Sequence, residues 1–406
     1  MPGPLEGVRV VEIGVWIAGP AAGGVLADWG ADVVKIEPPE GDPARTFQVM
    51  FGSDMPNNPI FEMDNRSKRS IMLDLSTDQG RVIAEELIAG ADIFVTNLRI
   101  GALARLGLDA DTLCARHPRL IYGHITGFGR EGDDADRAAY DIAAFWARSG
   151  IAHMLTAPGG PLPFQRGGMG DHSTGVQFAG AISAALYSRE RTGRGQLVST
   201  SLFRQGVYTI SFDLNMQLGW GMHAAIGERT TIGNPAINNY RSGDGRPFWV
   251  VGLEGARHWP PMCRVVGHPE WIEDVRFATP RDRAVNAAEL IGLLDTAFAM
   301  RSLDDWKEVF DTEPDFFWSP VQGPDEVLND PQLRAAGGLV EVPDEYGTTT
   351  MIASPADFTG TPWEPRSLAP EIGQHTDEIL RELGKSAAEI DAWRAVGVVG
   401  GVAAAG

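Results

Sequence analysis

The chain contains little cysteine and lacks the signals that direct a protein to a membrane or out of the cell. Its 406 residues include two cysteines, Cys114 and Cys263, far apart in sequence. Such a pair predicts free thiols in a reducing compartment rather than a disulfide framework. Residues 1–6 lack the basic start and apolar run of a secretion signal, and no stretch is apolar for the roughly 20 residues of a membrane span. We therefore expect a cytoplasmic protein.

Positive charge is also scarce. The formal net charge is -20, and the only lysines are Lys35, Lys68, Lys307 and Lys385. Nucleic-acid binding needs a basic face that replaces phosphate counterions, and an anionic membrane would repel this chain. The sequence therefore predicts neither partner, and an anionic ligand would need a local cationic pocket.

Several catalytic and metal-binding motifs are absent. The eight histidines show no metal-ligand spacing, and neither a Walker motif nor a G-x-S-x-G serine is found. Glycines 14–24 follow a predicted strand but do not form G-x-G-x-x-G, so close packing of strand and helix explains them better than a dinucleotide site. We expect no bound metal.

What the sequence does contain is an alternation of strand and helix. The patterns predict strands at 8–13, 31–37, 68–75, 92–97 and 120–127, with helices at 18–29, 77–89 and 108–117 between them. Ser76 or Thr77 is the expected cap of the 77–89 helix. Repeated βα units with short connections predict a parallel sheet covered by helices, an α/β fold whose ligands bind at the carboxyl ends of the strands.

The most informative motif is the glycine-rich stretch GGMGDHSTG at 167–175, which precedes a helix predicted from Ser173 to Arg191. Asp171 has two interpretations. Aspartate is among the best helix N-caps. It is also a possible nucleophile, because a helix N-terminus favours a carboxylate that stays ionised at neutral pH, and nearby glycine N–H groups can hold an oxyanion.

Four basic residues lie near strand ends in the first half: Lys68, Arg69, Arg99 and Arg105. Each alone is best explained as a solvated surface charge. Together, at one edge of a parallel sheet, they could bind phosphate groups despite the acidic total.

Nine segments in order resemble the class III CoA-transferases, the family of formyl-CoA:oxalate CoA-transferase, crotonobetainyl-CoA:carnitine CoA-transferase and α-methylacyl-CoA racemase. They are PLEGVRVVE at 4–12, AGP at 18–20, GADVVKIE at 30–37, KRSIMLDL at 68–75, ADIFVTN at 91–97, GFG at 127–129, TGRGQ at 192–196, DPQL at 330–333 and GQHTD at 373–377. The resemblance spans nearly the whole chain.

The resemblance implies an enzyme that moves CoA from an acyl-CoA thioester to a carboxylic acid, with CoA as a substrate and no permanently bound cofactor. Asp171 matches the family's catalytic aspartate in its G-D-x-x-T-G setting, which forms covalent aspartyl intermediates. The positions that match CoA contacts are Ala18, Leu73, Asn97, Leu98, Arg99, Arg105 and Tyr140. Arg137 is adjacent to Ala138, which stands where formyl-CoA transferase has a lysine, and Arg137 could compensate for it.

The predicted architecture is a large Rossmann-like, CoA-binding domain formed by 1–200 and 335–406, and a smaller α+β domain at 225–325. Residues 201–224 and 326–334 are expected to be linkers. The resemblance implies that two such chains interlock as a homodimer.

Two other functions stay open. The racemase branch uses a histidine in a G-H-D motif, whereas this chain has Ala139-Tyr140-Asp141. The pKa of an ordinary tyrosine, about 10, suits proton exchange poorly, and His124 or His172 would have to be turned inward to replace it. A third hypothesis is a non-catalytic acyl-CoA-binding protein, although the intact setting of Asp171 favours an enzyme.

Overall fold

The structure is a computed structural model, and it describes residues 3–50, 52, 58–223 and 226–401. The part of the chain that it describes contains no helix long and apolar enough to cross a membrane. The strands are β1 Arg9–Ile13, β2 Asp32–Glu37, β3 Arg69–Leu73, β4 Ile93–Thr96, β5 Ile121–Thr126, β6 Leu197–Ser201, β7 Ile237–Arg241, β8 Pro247–Val251, β9 Trp318–Pro320, β10 Leu339–Asp344, β11 Gly347–Ile352 and β12 Val399–Gly400.

The α-helices lie mostly between strands. They are α1 Ala18–Asp28, α2 Phe47–Met50, α3 Pro59–Asn65, α4 Asp78–Ala89, α5 Ile100–Leu106, α6 Ala110–Arg116, α7 Ile151–Met154, α8 Met169–Thr192, α9 Leu202–Thr209, α10 Ser211–Trp220, α11 Gly255–Val265, α12 Pro280–Val285, α13 Ala287–Phe298, α14 Leu303–Phe310, α15 Pro324–Asn329, α16 Pro331–Ala335, α17 Thr376–Glu382 and α18 Ala387–Ala395. A π-helical turn spans Ile142–Arg148, and short 3₁₀ turns span Pro43–Thr46, Arg229–Thr231 and Pro269–Ile272.

The chain divides into two compact units. The first contains Met1–His153, Pro163–Ala224 and Arg334–Gly406, and the second contains Met154–Leu162 and Ala225–Leu333. The expected linker at 201–224 instead lies in the first unit, where its described part forms α9 and α10. It folds there because Leu202 and Gly206 of α9 are buried, with Gly206 against the main chain of Phe145. The expected linker at 326–334 is also largely helical, in α15 and α16.

The first unit is built on one sheet in the order β12-β3-β2-β1-β4-β5-β6. The strands from β1 to β6 are parallel, and β12 pairs with β3 in the antiparallel direction. β-Branched and aromatic residues buried on both sides make these strands, as in sheets covered by helices on each face. The predicted α/β fold with a large parallel sheet is therefore confirmed. The strand order reverses beside β1, so ligands are expected between the carboxyl ends of β1 and β4.

The five predicted strands are all present, within one or two residues of their expected ends. Thr77 is the cap of α4: its hydroxyl accepts a hydrogen bond from Gly80 N at 3.0 Å. The sequence patterns did not indicate β6 as the outer parallel strand, or α3, which packs against α1. β6 alternates exposed and half-buried residues and carries no continuous apolar run.

The longest helix, α8, packs on α1 through small residues. A Cβ at Gly175 would lie 2.8 Å from the Cβ of Ala21 and 3.0 Å from the N of Ala22. Glycine therefore permits a close approach that any larger residue would prevent. This contact ties the first turns of α8 to the helix that follows β1.

The second unit has its own antiparallel sheet and aromatic core. β7 and β8 form an antiparallel hairpin, and β9 pairs with β8 to make a third strand. Phe248, Phe298 and Phe310 pack together at centroid distances of 5.0 to 6.1 Å. The buried residues of this core all belong to the second unit.

Candidate active site

The loop between β1 and α1 lies at the carboxyl edge of the sheet and is held by Asn97. Val15 N donates to Asn97 Oδ1 at 2.9 Å, and Asn97 Nδ2 donates to Val15 O at 2.8 Å. Asn97 follows β4, so this two-way bond joins the two strands beside which the strand order reverses. The predicted residue Asn97 is thereby placed where the fold favours a ligand.

Trp16 in this loop has an unusual backbone conformation. Its φ is 65°, in the left-handed region that bulky residues rarely adopt. Its N donates to Asp42 Oδ1 at 3.0 Å, and its ring contacts Tyr140 at 5.7 Å and Phe47 at 5.5 Å between centroids. Such strain costs about 1–3 kcal/mol and persists only where the surroundings enforce it.

A buried cluster of charges supplies that enforcement. Lys35 Nζ contacts Glu12 at 3.0 Å, Asp42 at 2.9 Å and the carbonyl of Gly14 at 2.8 Å. Lys68 Nζ contacts the other oxygen of Glu12 at 2.8 Å and the carbonyl of Pro20 at 2.9 Å. We call Glu12, Lys35, Asp42 and Lys68 the lysine cluster. It has two negative and two positive charges, and its lysines donate hydrogen bonds to the main chain at the start of the β1–α1 loop and in the first turn of α1.

The lysine cluster corrects one expectation. Lys68 is fully buried in it, and Arg69 begins β3, at the amino edge of the sheet, where it binds Asp32, Glu378 and Glu382 at 2.6 to 2.8 Å. Neither residue is open to a phosphate, because each is already paired with carboxylates.

Asp171 lies in the first turn of α8 but is not its cap. The helix begins at Met169 after Gly168, whose φ is 79°, and no side chain caps it. The cap interpretation of Asp171 is therefore wrong, because the left-handed turn at Gly168 starts the helix three residues earlier. Among the described residues, none donates a hydrogen bond to the Asp171 carboxylate.

The surroundings of Asp171 are acidic and poorly hydrated. Burial is the largest cause that raises its pKa, to about 7, and the charges of Asp141 and Asp64 act in the same direction. His172 opposes them. The expectation that Asp171 is fully ionised at neutral pH is therefore wrong: desolvation outweighs the helix N-terminus, and both protonation states are present near pH 7.

His172 is held by Asp64 of α3. His172 Nε2 lies 3.1 Å from Asp64 Oδ1, and Asp64 is only 3% exposed. Burial alone would lower the pKa of His172, but the hydrogen bond and charge of Asp64 raise it. A Cβ at Gly168 would lie 3.1 Å from His172 Cε1, so the glycine also makes room for the imidazole.

Asp141 is the third carboxylate of this region. It is buried and accepts a hydrogen bond from Gln165 Nε2 at 3.0 Å. The neighbouring Tyr140 is 63% exposed, with its ring edge toward Trp16. We call Asp64, Asp141, Asp171 and His172 the aspartate cluster, in which three acids face one base.

The predicted cationic residues lie on the same edge as the β1–α1 loop. Arg99 precedes α5, Arg105 is in its last turn, and both are exposed with no ion pair to any described residue. Gly101 N donates to Asp136 Oδ1 at 3.0 Å, which brings the 134–140 segment beside α5. Arg137 is exposed on that segment and lies 3.4 Å from Asp134.

The remaining residues predicted to contact CoA differ in how exposed they are. Leu98 is half-buried, and its carbonyl accepts from His124 Nε2 at 2.8 Å. Ala18 begins α1 and is 5% exposed, and Leu73 is fully buried in the core. The side chain of Leu73 is therefore closed to a ligand, because β3 is covered on both faces.

His124 is not available for proton exchange. Its Nδ1 lies 2.7 Å from an Arg130 nitrogen, and burial lowers its pKa to about 4. It is a neutral structural histidine. The described residues also contain no group of three or more His, Cys, Asp or Glu that could hold a metal ion.

Comparison with known proteins identifies the family. Residues 5–376 match the family described as CoA-transferase family III. The chain belongs to this family. CoA-transferase family III is a class of enzymes, and the chain has the family's α/β architecture as well as its sequence.

The relatives of this family III chain are named for different substrates. It is 31% identical to (R)-2-hydroxy-4-methylpentanoate CoA-transferase of Clostridioides difficile, over 94% of this chain and 95% of that one. It is 30% identical to cinnamoyl-CoA:phenyllactate CoA-transferase of Clostridium sporogenes, over 95% of both. A crystal structure of a CAIB/BAIF family protein from Brucella suis aligns with a TM-score of 0.80 at 30% identity, covering 94% of this chain and 100% of that one.

The sequence patterns missed the residues that surround Asp171 in this family III chain. Asp64 carries no motif, and its partner His172 is 108 positions away in sequence. A weaker signal existed for the lysine cluster: Glu12 and Lys35 interrupt apolar strands and are in register on β1 and β2. A charge inside a buried strand needs a partner, so this pairing could have been inferred.

Proposed function

We propose that this enzyme moves CoA from an acyl-CoA thioester to a carboxylic acid, with Asp171 as the nucleophile. The observation that carries the proposal is the position of Asp171 beside the carboxyl edge of the sheet. It is half-buried in the first turn of α8, and no residue that the structure describes donates a hydrogen bond to its carboxylate. A carboxylate without a partner in a low-dielectric site lowers the stability of the fold, so its presence there indicates a reacting group.

The proposed reaction consists of acyl transfers that balance without net proton uptake. The Asp171 carboxylate attacks the thioester carbon, the C–S bond breaks, and CoA thiolate leaves a mixed anhydride. The thiolate then attacks the Asp171 carbonyl and expels the donor acid, leaving an aspartyl-CoA thioester. The acceptor carboxylate then attacks that thioester, which forms a second anhydride with Asp171 and frees CoA thiolate. The thiolate attacks the acceptor's acyl carbon in this anhydride, which gives the new acyl-CoA and restores the Asp171 carboxylate.

CoA is proposed to lie along the edge formed by α1, α5 and the 134–140 segment. Arg99, Arg105 and Arg137 are exposed there and would face phosphate groups, for which guanidinium is well suited. Asn97, Leu98 and Tyr140 line the same edge, and Ala18 and Leu73 would contribute main-chain contacts at most. The acidic net charge makes these arginines a local exception.

The acyl group is proposed to be apolar. The half-buried Trp16 of the β1–α1 loop packs against the exposed Tyr140, and both rings would contact an apolar chain better than a formyl group. The names of the two relatives above, a branched 2-hydroxy acid and an aromatic acid, agree with this choice.

A homodimer in the cytoplasm is also proposed. Residues of α8, β6, α9 and α10 line a groove of about 660 Å³, beside which Phe212, Leu218 and Trp220 are 75 to 84% exposed. An apolar face this open favours burial against a second chain. Native mass spectrometry should find twice the 43.7 kDa chain mass, and a monomer at micromolar concentration would reject the dimer.

The decisive experiment replaces the nucleophile. Asp171→Ala should abolish CoA exchange from cinnamoyl-CoA across a panel of carboxylic acids, with the wild-type melting temperature retained or raised. Asp111→Ala is the matched control, since Asp111 is an exposed acid in the first turn of α6; its exchange should be unchanged. Retained exchange in Asp171→Ala would reject the proposed nucleophile.

A parallel assay in deuterated water separates the alternatives. It uses a saturated 2-methylacyl-CoA as the donor, because its α-carbon carries an exchangeable proton that cinnamoyl-CoA lacks. CoA exchange without α-deuteration supports a transferase, whereas α-deuteration without exchange would mean a racemase. Tight CoA binding with neither reaction across the panel would mean a binding protein. Hydroxylamine should trap an Asp171 hydroxamate only when acyl-CoA is present.

A further inference from the structure

The aspartate cluster carries an excess of negative charge around one imidazole. Asp64 and Asp141 both act electrostatically on Asp171, and all three carboxylates act on His172. Lys68 and Glu12 of the lysine cluster act on Asp64. Three carboxylates in one half-buried region repel one another. A nucleophilic carboxylate there would be held largely as the unreactive acid unless a nearby cation offset that repulsion.

His172 has the geometry of that cation. Its Nε2 is committed to Asp64 at 3.1 Å, and Nδ1 has no hydrogen-bond partner among the described residues. An imidazole with one nitrogen on a buried carboxylate and the other free is fixed in orientation and is stabilised as imidazolium.

The residues packed around Asp64 and His172 favour the contact between them. Asp64 Oδ2 is buried without a hydrogen-bond partner in the described structure, so Asp64 has His172 as its main compensation. Gly168 leaves space for the ring, and its carbonyl accepts from His172 N at 2.8 Å. The first turn of α8 therefore positions His172 and Asp171 together.

We propose that Asp64 and His172 form a charge-holding pair that favours the ionised form of the Asp171 carboxylate, which is the form that attacks the thioester. His172 is a positioning residue in this scheme: Asp64 holds its proton, and its positive charge acts on Asp171. The inference rests on the proposed function, because it assigns the pair to the nucleophile. It also gives the histidine of this chain's G-D-H-S-T-G motif a role other than proton exchange at the α-carbon.

The first test measures protonation directly and needs no substrate. Full-length protein labelled at histidine Cε1 and aspartate Cγ is titrated by NMR, with Asp171→Asn used to assign the Asp171 resonance. His172→Asn should move the Asp171 midpoint upward from about 7, by about one pH unit as expected for loss of a nearby charge. An unchanged midpoint would overturn the proposal.

Asp64→Asn tests the other half of the pair. The His172 resonance should then titrate at a lower pH than in the wild type, since its carboxylate partner is gone. An unchanged His172 midpoint would show that Asp64 does not hold the proton. His268→Asn is the matched control, because His268 forms a similar contact with Glu270 at 2.8 Å in the second unit; it should leave the Asp171 midpoint in place.

The kinetic test distinguishes charge from structure. For single-turnover acylation by cinnamoyl-CoA, His172→Asn should lower the rate about tenfold below the midpoint and leave the high-pH plateau unchanged. His172→Lys, which keeps the charge, should restore the midpoint toward the wild type. A purely structural role would lower the rate equally at every pH and would contradict the proposal.

The outcomes also separate the two proposals. If Asp171→Ala retains exchange, the nucleophile is wrong, and the NMR titrations still decide whether the pair controls Asp171. If Asp171→Ala is inactive but His172→Asn leaves the Asp171 midpoint unchanged, the proposed function stands and the charge-holding pair is rejected. If His172→Asn does not fold, His172→Gln replaces it in each measurement.

Discussion

The lysine cluster and the aspartate cluster are both buried groups of charges in the first unit, and they are built in opposite ways. In the lysine cluster, two carboxylates meet two ammonium groups, and each lysine also donates to a main-chain carbonyl. The aspartate cluster has three carboxylates and one imidazole, and Asp64 Oδ2 is buried with no hydrogen-bond partner among the described residues. The charges of the lysine cluster are paired and hydrogen-bonded, whereas those of the aspartate cluster are only partly so.

The difference distinguishes a cluster that stabilises the fold from a cluster that lies at the proposed reacting group. A buried charge is tolerable when it is paired and hydrogen-bonded, so the lysine cluster can hold the β1–α1 loop and the strained Trp16. An incompletely satisfied cluster lowers stability, and such costs concentrate at functional sites. Burial raises the pKa of Asp171, whereas the lysines lower the pKa of Glu12 against its own burial.

Breaking the lysine cluster should have the largest effect. Glu12→Gln leaves Lys35 and Lys68 without their shared carboxylate, and removal of one member of a buried pair costs about 3–5 kcal/mol. Chemical denaturation should show this loss in the free energy of unfolding. Glu40→Gln, at an exposed glutamate, should be neutral. A loss below about 1 kcal/mol would mean that the cluster does not support the loop.

Removing the nucleophile should have the opposite effect on stability. The folded-state pKa of Asp171, about 7, lies above its ordinary value of 3.8. The folded state therefore binds more protons between these values, and this group's contribution to stability falls as pH rises through that window. A difference of about three pH units corresponds to about 4 kcal/mol, and solvent at the half-buried Asp171 screens part of it. Asp171→Asn should therefore be more stable than the wild type by about 2 kcal/mol at pH 8 and nearly equal to it near pH 4.

That prediction is checked by thermal or denaturant unfolding at both pH values. Asp111→Asn, at an exposed acid, should show no such pH-dependent gain. A destabilised Asp171→Asn at pH 8 would mean that the carboxylate is stabilised by groups other than His172, and the contrast between the two clusters would weaken.

The smallest expected effect concerns the exposed arginines, which belong to neither cluster. Arg99→Ala and Arg105→Ala should each raise the KM for cinnamoyl-CoA by about three- to tenfold, with kcat and melting temperature unchanged, because a phosphate contact at the surface adds about 1 kcal/mol. Arg194→Ala, at an exposed arginine before β6, is the control. An unchanged KM in both variants would move the proposed CoA path elsewhere.

The chain's own pattern of residues was enough to predict much of the first unit. The strands from β1 to β5 are runs of β-branched and apolar residues, and Thr77 caps α4 through a bond to a residue three positions away. These features are local, so their physics lies within a few residues of sequence. Asp171 also stood out from its glycine-rich surroundings.

Tertiary structure decided the state and the partners of those residues. Asp64 and His172 are 108 positions apart, and Glu12 and Lys68 are 56 apart. No spacing rule reports such contacts, because they depend on how α3, α8 and the sheet pack. Whether Asp171 is a cap or an unpaired acid, and whether Lys68 binds phosphate or Glu12, depends on burial and on neighbouring charge. Sequence alone determined the first five strands of the sheet and the family to which the chain belongs. Only the packed structure determined which charges are satisfied, because desolvation and Coulomb energies depend on which distant residues come into contact.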